Sequence, residues 1–357
     1  MDRRPPRLER CAVTPYGRGA GSSRVRVFQW LDRVGADFAV GSYLSLPDAA
    51  ASRLVRHPVN LARAELRLAA LANARPRRLL LHREASPLSR GWWERRLLAS
   101  ADFGVYDFDD ALQWDRGEGG VLRRLAPKAG KTRVAVRHAD RVIAGNAVLA
   151  DWASRHHRDV VVIPSCVAPE DYTPKVSYAL HDPPRLGWIG SPHNEAYLRL
   201  IAPALTQVHR RTGARLLLVG TGAPALGALE PMVDRVAWSP DVQRTALTGM
   251  DVGLMPLAPT DYNRGKCGYK LLQYAAVGLP AVASPVGVNA ELLARFGMPA
   301  ACTQDDWTEA ILGLLGASTA LRERLGHGAR EVAASCYSYD AWLPRWEAAM
   351  ELGTVTS

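Results

Sequence analysis

From residue 8 to residue 283, short apolar runs alternate with longer stretches of helical spacing, and this alternation leaves few folds open. Runs at 8–13, 37–40, 78–81, 103–106, 141–143 and 160–163 read as strands, with a glycine-rich loop (Gly17, Gly19, Gly21) after the first and a helix from about Ser23. Residues 57–74 carry Leu and Ala at helical spacing, and Pro58 is acceptable in a first turn. Strands that alternate with helices build βαβ units and parallel sheets. The pattern breaks between 164 and 184, where Pro164, Pro169, Pro174, Pro183 and Pro184 fall without periodicity. It then resumes, with strands expected at 185–189, 215–219, 233–237, 252–255 and 281–283.

The expected class is therefore α/β, two Rossmann-like domains in succession, which suits 357 residues. We place the first domain at 1–168, a linker at 169–184 and the second domain at 185–337. A last segment, 338–357, holds an amphipathic helix over 339–350 with Trp342 and Trp346, expected to pack back on the first domain.

Composition narrows the partners. Only five of the 45 basic residues are lysines (Lys128, Lys131, Lys175, Lys266, Lys270), so the net charge of +10 is nearly all arginine. Two readings stay open: the compositional bias of a GC-rich genome, or attraction for an anionic substrate or surface. Five scattered cysteines without a CxxC motif suggest reduced thiols and a cytoplasmic location. The charged start Met1-Asp2-Arg3-Arg4 lacks the apolar stretch of a signal peptide, and no apolar run reaches the roughly 18–20 residues of a membrane helix.

Two strand ends in the second half suit phosphate. Gly187-Trp188-Ile189-Gly190-Ser191-Pro192 runs from a strand through Gly-Ser into a helix, so backbone N–H groups face the turn and could hold a phosphate; taken alone, the stretch reads first as a tight turn that needs glycine for its geometry. Leu218-Val219-Gly220-Thr221-Gly222 starts like a dinucleotide fingerprint, but Ala225 breaks its spacing. The stretch Gly265-Lys266-Cys267-Gly268-Tyr269-Lys270-Leu271-Leu272-Gln273 gathers glycines and two of the five lysines where a helix starts, and Gly278-Leu279-Pro280 ends that helix. Helix-terminal N–H groups with Lys266 and Lys270 one turn apart point to an anionic ligand.

Taken in order, these elements resemble the family-4 glycosyltransferases, of the glycosyltransferase group 1 type. The resemblance rests on Gly190-Ser191-Pro192, Asp251-Val252-Gly253-Leu254 before Pro256-Leu257, Lys270-x-x-Gln273-Tyr274-x-Ala276-x-Gly278-x-Pro280, and Pro285-Val286-Gly287-Val288-Asn289-x-Glu291. Ser22-Ser23-Arg24-Val25-Arg26, Tyr106-Asp107-Phe108-Asp109-Asp110 and Asp140-Arg141-Val142-Ile143 extend it more loosely into the first half. It implies the GT-B fold, two Rossmann-like domains facing each other across a cleft, and retaining transfer from a nucleotide-diphosphate sugar (a UDP- or GDP-sugar) without an essential metal or other cofactor.

The donor set it implies is Gly190, Ser191, Gly220, Thr221, Trp238, Lys266, Gly268, Tyr269, Lys270 and Gln273. Acceptor contacts fall to Ser22, Ser23, Arg24 and Arg83, and the catalytic candidates are Asp109, Asp110, Glu84 and Lys266. Two departures stand out. Gly265 and Gln273 occupy the positions of the family's paired glutamates, and Ser191 stands where an arginine is usual. Gln273 can still hydrogen-bond ribose hydroxyls, whereas Lys266 and Lys270 are the substitutes for diphosphate binding and leaving-group stabilisation. Asp109 and Asp110 replace a frequent histidine, and they either orient the sugar, accept a proton, or merely cap a turn. Glu84 is the preferred general base of His82-Arg83-Glu84, with Arg83 holding an anionic group and His82 packed or hydrogen-bonded.

Other patterns lead elsewhere. Asp107-Phe108-Asp109 is formally a DxD metal signature, but the two-half organisation argues against the fold that uses it. Gly130-Lys131-Thr132 lacks the first P-loop glycine, since residue 125 is Leu. The histidines have no metal-ligand spacing. Trp92 and Trp93 with Arg95 and Arg96 suggest a packed helix or a membrane or acceptor patch in preference to nucleic-acid binding. The leading expectation is a transferase with a small-molecule acceptor, such as a natural-product or aminocyclitol intermediate of secondary metabolism. The alternatives are a peripheral membrane transferase using a lipid or cell-envelope acceptor, and a sugar-nucleotide-binding protein without catalysis.

Overall fold

The computed structural model describes residues 7–44, 58–115, 127–220 and 226–353. Two compact units emerge. The first comprises Met1–Ser165, Gly265–Cys267 and Trp342–Ser357, and the second Cys166–Arg264 and Gly268–Ala341.

In the first unit, strands β1 (Arg10–Tyr16), β2 (Ala39–Leu44), β3 (Arg78–His82), β4 (Phe103–Phe108), β5 (Arg141–Ala144) and β6 (Val160–Val162) form a parallel sheet in the order β2-β1-β3-β4-β5-β6. Central strands covered on both faces need continuous apolar runs, which is why 79–81 and 142–144 are wholly buried. β1 and β2 outrun the apolar runs that announce them. Thr14 pairs in register with Ser42, and the buried Thr14 hydroxyl meets Ser23 Oγ at 2.5 Å, so a polar residue extends the ladder without being stranded. The chain steps from β1 outward to β2 and then crosses back past β1 to β3, so the strand order reverses between β1 and β3. The crevice beyond the carboxyl ends at such a switch point is where open α/β sheets bind ligands. Farther down the chain, Trp346 of the helix Tyr339–Ala349 is fully buried and stacks on Trp30 with 5.5 Å between ring centroids.

The second unit is a parallel sheet of β7 (Arg185–Ile189), β8 (Arg215–Gly220), β9 (Val233–Ala237), β10 (Val252–Met255) and β11 (Ala281–Ala283), ordered β11-β10-β7-β8-β9. Its switch point lies between β7 and β10. The proline-rich stretch is held against this unit by buried polar groups. Lys175 Nζ donates to the carbonyls of Thr248 (3.0 Å) and Met250 (2.8 Å), and Tyr178 OH donates to that of Gly278 (2.8 Å). Asp251 acts likewise: its buried carboxylate accepts from Arg185 N at 2.8 Å and meets His181 Nδ1 at 2.9 Å.

The backbone just past the helix Tyr269–Val277, at Gly278, comes close to Gly326 of the helix Thr319–Cys336. A methyl group at Gly326 would run into the carbonyl of Gly278, which is backbone and cannot swing aside. Gly326→Ala is therefore expected to destabilise the protein by about 1–3 kcal/mol, read as a lower urea midpoint at unchanged slope.

Candidate active site

The carboxyl ends of β3 and β4 gather most of the ionisable groups singled out in the first half. His82 and Asp107 are register partners on these strands, and His82 Nδ1 lies 2.7 Å from Asp107 Oδ1. Asp107 Oδ2 accepts from Arg26 Nη2 at 2.5 Å, and Arg26 Nη1 donates to the carbonyls of Ile163 and Pro164. Arg26, His82 and Asp107 are all buried. Burial by itself would raise the Asp107 carboxyl, but Arg26 and His82 outweigh it and hold the group below the ordinary carboxylate range. In the sequence Arg26 carries no role beyond its place in the Ser22–Arg26 element, because a helical arginine normally points to solvent. Here it sits in a wider π-helical turn, Arg24–Phe28, that turns its side chain inward.

Beyond β4, Asp109 Oδ1 accepts from Arg83 Nε at 2.7 Å and Asp110 Oδ2 from Arg83 Nη2 at 3.2 Å. Arg83 adopts a left-handed backbone (φ 60°), a conformation that costs a non-glycine residue about 1–3 kcal/mol and is concentrated at functional sites. The Asp109 carboxyl would rise through burial, yet Arg83, His82 and Arg26 bring it down to about 2. His82 Nε2 stands 4.0 Å from Asp109 Oδ1.

Lys266 joins this cluster. Its Nζ lies 3.9 Å from Asp110 Oδ1, and its tripeptide is seated by Asn146, whose Nδ2 donates to Gly265 O at 2.9 Å and reaches Cys267 Sγ at 3.3 Å. Glycine is required at 265 because a Cβ there would lie 2.6 Å from Ala111 Cβ. This corrects the expectation that Lys266 and Lys270 share a helix turn. The helix begins at Tyr269, after Gly268 in a left-handed conformation (φ 66°), so Lys266 stands on the preceding loop. Lys270 alone is helical.

Glu84 is also corrected. Its buried carboxylate accepts from Lys131 Nζ at 2.8 Å and faces Lys128 Nζ at 3.2 Å. Burial opposes ionisation, but the two ammonium groups prevail and bring the carboxyl down to about 2. It serves as a counter-ion, unsuited to general-base work near neutral pH. Lys131, found earlier in a P-loop-like triplet, is thereby accounted for. A depressed carboxyl stabilises the fold above its ordinary value of about 4.5, and that contribution fades as pH falls toward about 2. Unfolding followed between pH 5 and 2 should show this loss in the wild type and a flatter acid limb in Glu84→Gln.

Of the acceptor candidates, Ser23 turns inward to Thr14, which removes its hydroxyl from ligand contact. Ser22 and Arg24 are half-buried, and Arg83 is committed to the two aspartates. In the neighbouring tryptophan pair, Trp93 is buried and Trp92 exposed, with Arg96 over the Trp92 ring.

In the second unit the carboxyl end of β7 brings donor candidates together. Gly190 follows the strand, Lys270 Cε lies 2.9 Å from where a Cβ on Gly190 would sit, and Lys270 Nζ stands 5.1 Å over the Trp188 ring. Ser191 is exposed and accepts from Asn194 Nδ2 at 3.1 Å. Gly220 closes β8, and Thr221 lies outside the described residues. Trp238 is half-buried with Nε1 donating to Gln243 Oε1 at 3.2 Å; Tyr269 is half-buried too. Gln273 is buried and donates from Nε2 to Tyr172 OH at 3.0 Å, so its amide is partly engaged within the fold. One charged group at this rim went unnoticed in the sequence: Glu195, fully buried, accepting from Arg235 Nη1 at 3.0 Å.

Among the described residues no helix is long and apolar enough to cross a membrane, and no three His, Cys, Asp or Glu side chains are grouped to hold a metal ion.

Comparison with known proteins fits this geometry. Residues 183–317 match the family model described as glycosyl transferases group 1. Among solved structures, Anabaena HepE in complex with UDP and glucose superimposes with a TM-score of 0.68 at 14% identity, covering 97% of this chain and 100% of its own. WaaG, a glycosyltransferase involved in lipopolysaccharide biosynthesis, gives 0.64 at 16% identity over the same shares. TarM from S. aureus gives 0.56 at 14%, over 76% of this chain and 55% of its own. No curated protein sequence matches. The chain has the GT-B fold, and residues 183–317 of its second half are similar to the glycosyl transferases group 1 family.

Proposed function

We propose that the protein transfers a sugar from a nucleotide-diphosphate donor to an acceptor hydroxyl, with retention at the anomeric carbon and without an essential metal. The observation that carries this reading is the rim of the second unit, where Gly190, Lys270 and the start of the helix Tyr269–Val277 converge at the β7–β10 switch point inside the family match. HepE was crystallised with UDP-glucose, which favours a uridine donor here as well.

In the transfer, the acceptor oxygen forms a bond to the anomeric carbon as the bond from that carbon to the diphosphate breaks, and the hydroxyl proton is released. Lys270 binds the diphosphate. Lys266 stabilises the negative charge that develops on the leaving group, a role in which fixed cations are most effective away from bulk water. Asp109, held ionised to about 2, is a weak base. It suits accepting a hydrogen bond from a sugar hydroxyl and orienting it, and the proton passes to an oxygen of the departing phosphate. The acceptor is a small molecule of natural-product type, glycosylated in the cytoplasm.

Thermal-shift titration with UDP, GDP, ADP and dTDP tests donor binding, because a ligand that binds only the folded state raises the melting temperature. The expected result is a rise for at least one, followed by release of that diphosphate from its sugar conjugate when acceptors are supplied. No shift with any nucleotide, or tight binding without turnover on every acceptor, overturns the proposal.

A further inference from the structure

The first unit carries an outer face that the transfer reaction does not use. The helix Pro58–Ala74 buries Ala64, Leu68 and Ala72 against the fold. On its opposite side Val59, Ala62, Leu66 and Ala70 recur at helical spacing and are all exposed, Leu66 by 69% and Val59 by 60%. A surface helix ordinarily sets polar residues there. The stripe continues to Asn73, whose Oδ1 accepts from Arg96 Nη2 at 3.0 Å. Arg96 in turn lies 5.6 Å over the ring of Trp92, which is 57% exposed at the start of the helix Trp92–Leu98. Leu88, exposed on the loop before that helix, is tied in through Ser86, whose Oγ bonds Leu88 N and Glu65 Oε1. Single exposed apolar side chains are common on any surface, but four of the eight large ones among the described residues fall in this one region.

The charge of the face is one-sided. Each of the two helices has a single acid, and both acids are spent inside the fold. Glu65 accepts from Tyr43 OH, Ser86 Oγ and Trp93 Nε1, and the fully buried Glu94 from Ala85 N and Ser89 Oγ. Arg63, Arg67, Arg95 and Arg96 are exposed, and none of them is paired with a carboxylate among the described residues. We propose that this face docks the protein on an anionic lipid surface. Leu66, Val59, Leu88 and Trp92 enter the boundary between headgroups and acyl chains, and the arginines meet the lipid phosphates. Helices with an apolar stripe flanked by arginine lie in the plane of such an interface. Tryptophan is favoured there because its ring is apolar and its N–H polar. Single-stranded nucleic acid fits less well, since it asks for successive aromatic platforms, and three of the four large apolar side chains here are aliphatic. The inference does not depend on the donor reading.

Co-sedimentation of the full chain with vesicles tests it, using phosphatidylcholine and phosphatidylglycerol in equal parts against phosphatidylcholine alone. Binding to the mixed vesicles is expected to exceed binding to the neutral ones by about tenfold or more, and to weaken as sodium chloride is raised. Arg63→Gln with Arg67→Gln should weaken it by about tenfold or more. Leu66→Ser and Trp92→Ala should each weaken it by about tenfold. Leu66 and the two arginines are exposed, so those variants should melt as the wild type does. Val176→Ser, which removes an exposed apolar side chain elsewhere, should leave vesicle binding unchanged. Equal binding to neutral vesicles, or no binding to either kind, overturns the proposal. So does binding that survives both the arginine pair and Leu66→Ser, or that Val176→Ser weakens as much. Capture of a single-stranded oligonucleotide in preference to the mixed vesicles would reassign the face and overturn it too.

Discussion

Asp107→Asn should destabilise the protein by about 3–5 kcal/mol, the usual cost of removing one partner from a buried ion pair. Asp107 meets Arg26 through both carboxylate oxygens and His82 through one, in a setting with almost no solvent exposure. An asparagine would keep the shape but lose the charge, and its amide N–H groups would confront the N–H groups of Arg26. The guanidinium would then keep one neutral amide oxygen and the carbonyls of Ile163 and Pro164, with no negative charge from residue 107. Urea unfolding at neutral pH measures the effect, and a loss below about 1 kcal/mol would contradict this account of the pair. The paired replacement Arg26→Met with Asp107→Leu should recover much of the loss, because two apolar groups leave no charge unmatched.

Lys266→Ala should lower kcat by about 100- to 1000-fold, the scale for removing one fixed group that stabilises charge developing in a transition state. Lys270→Ala should act chiefly on donor affinity, weakening nucleoside diphosphate binding by about tenfold or more. The difference follows from placement. Lys270 lies over the Trp188 ring beside Gly190, the proposed seat of the donor diphosphate, and Lys266 stands on a loop next to Asp110. Steady-state kinetics with diphosphate release, set against calorimetric affinity for UDP, separates the two roles. Unchanged affinity and unchanged kcat in both variants would remove the lysines from the mechanism.

Parallel strands covered on both faces announce themselves as short apolar runs, so β7, β10 and β11 lie where the sequence places them, end to end; β9 does too, although it is an edge strand with much of its surface exposed. β1 and β2 run on through Thr14 and Ser42, whose pairing depends on a neighbouring strand that no local pattern reveals. The ionic core was harder to read. Arg26 and Asp107 are 81 residues apart and come together only through the sheet. Spacing alone put Lys266 on the helix of Lys270, because the left-handed turn at Gly268 is a property of packing against Leu292 and Asn289. Glu84 reads as a base until Lys128 and Lys131 are seen around it. Glu195 gives no signal at all, since a charged residue in a first helical turn is ordinarily solvated.

The stacking of Trp346 on Trp30 has a consequence for synthesis. A chain made from its amino end cannot close the first unit's core when residue 165 leaves the ribosome, for that unit also needs the tripeptide Gly265–Cys267 and the segment from Trp342. The second unit's last segment ends at Ala341, immediately before the first unit's last segment begins. The half that begins first is thus finished last, and until Trp346 arrives a nascent chain holds the Trp30 side chain with its stacking partner still untranslated.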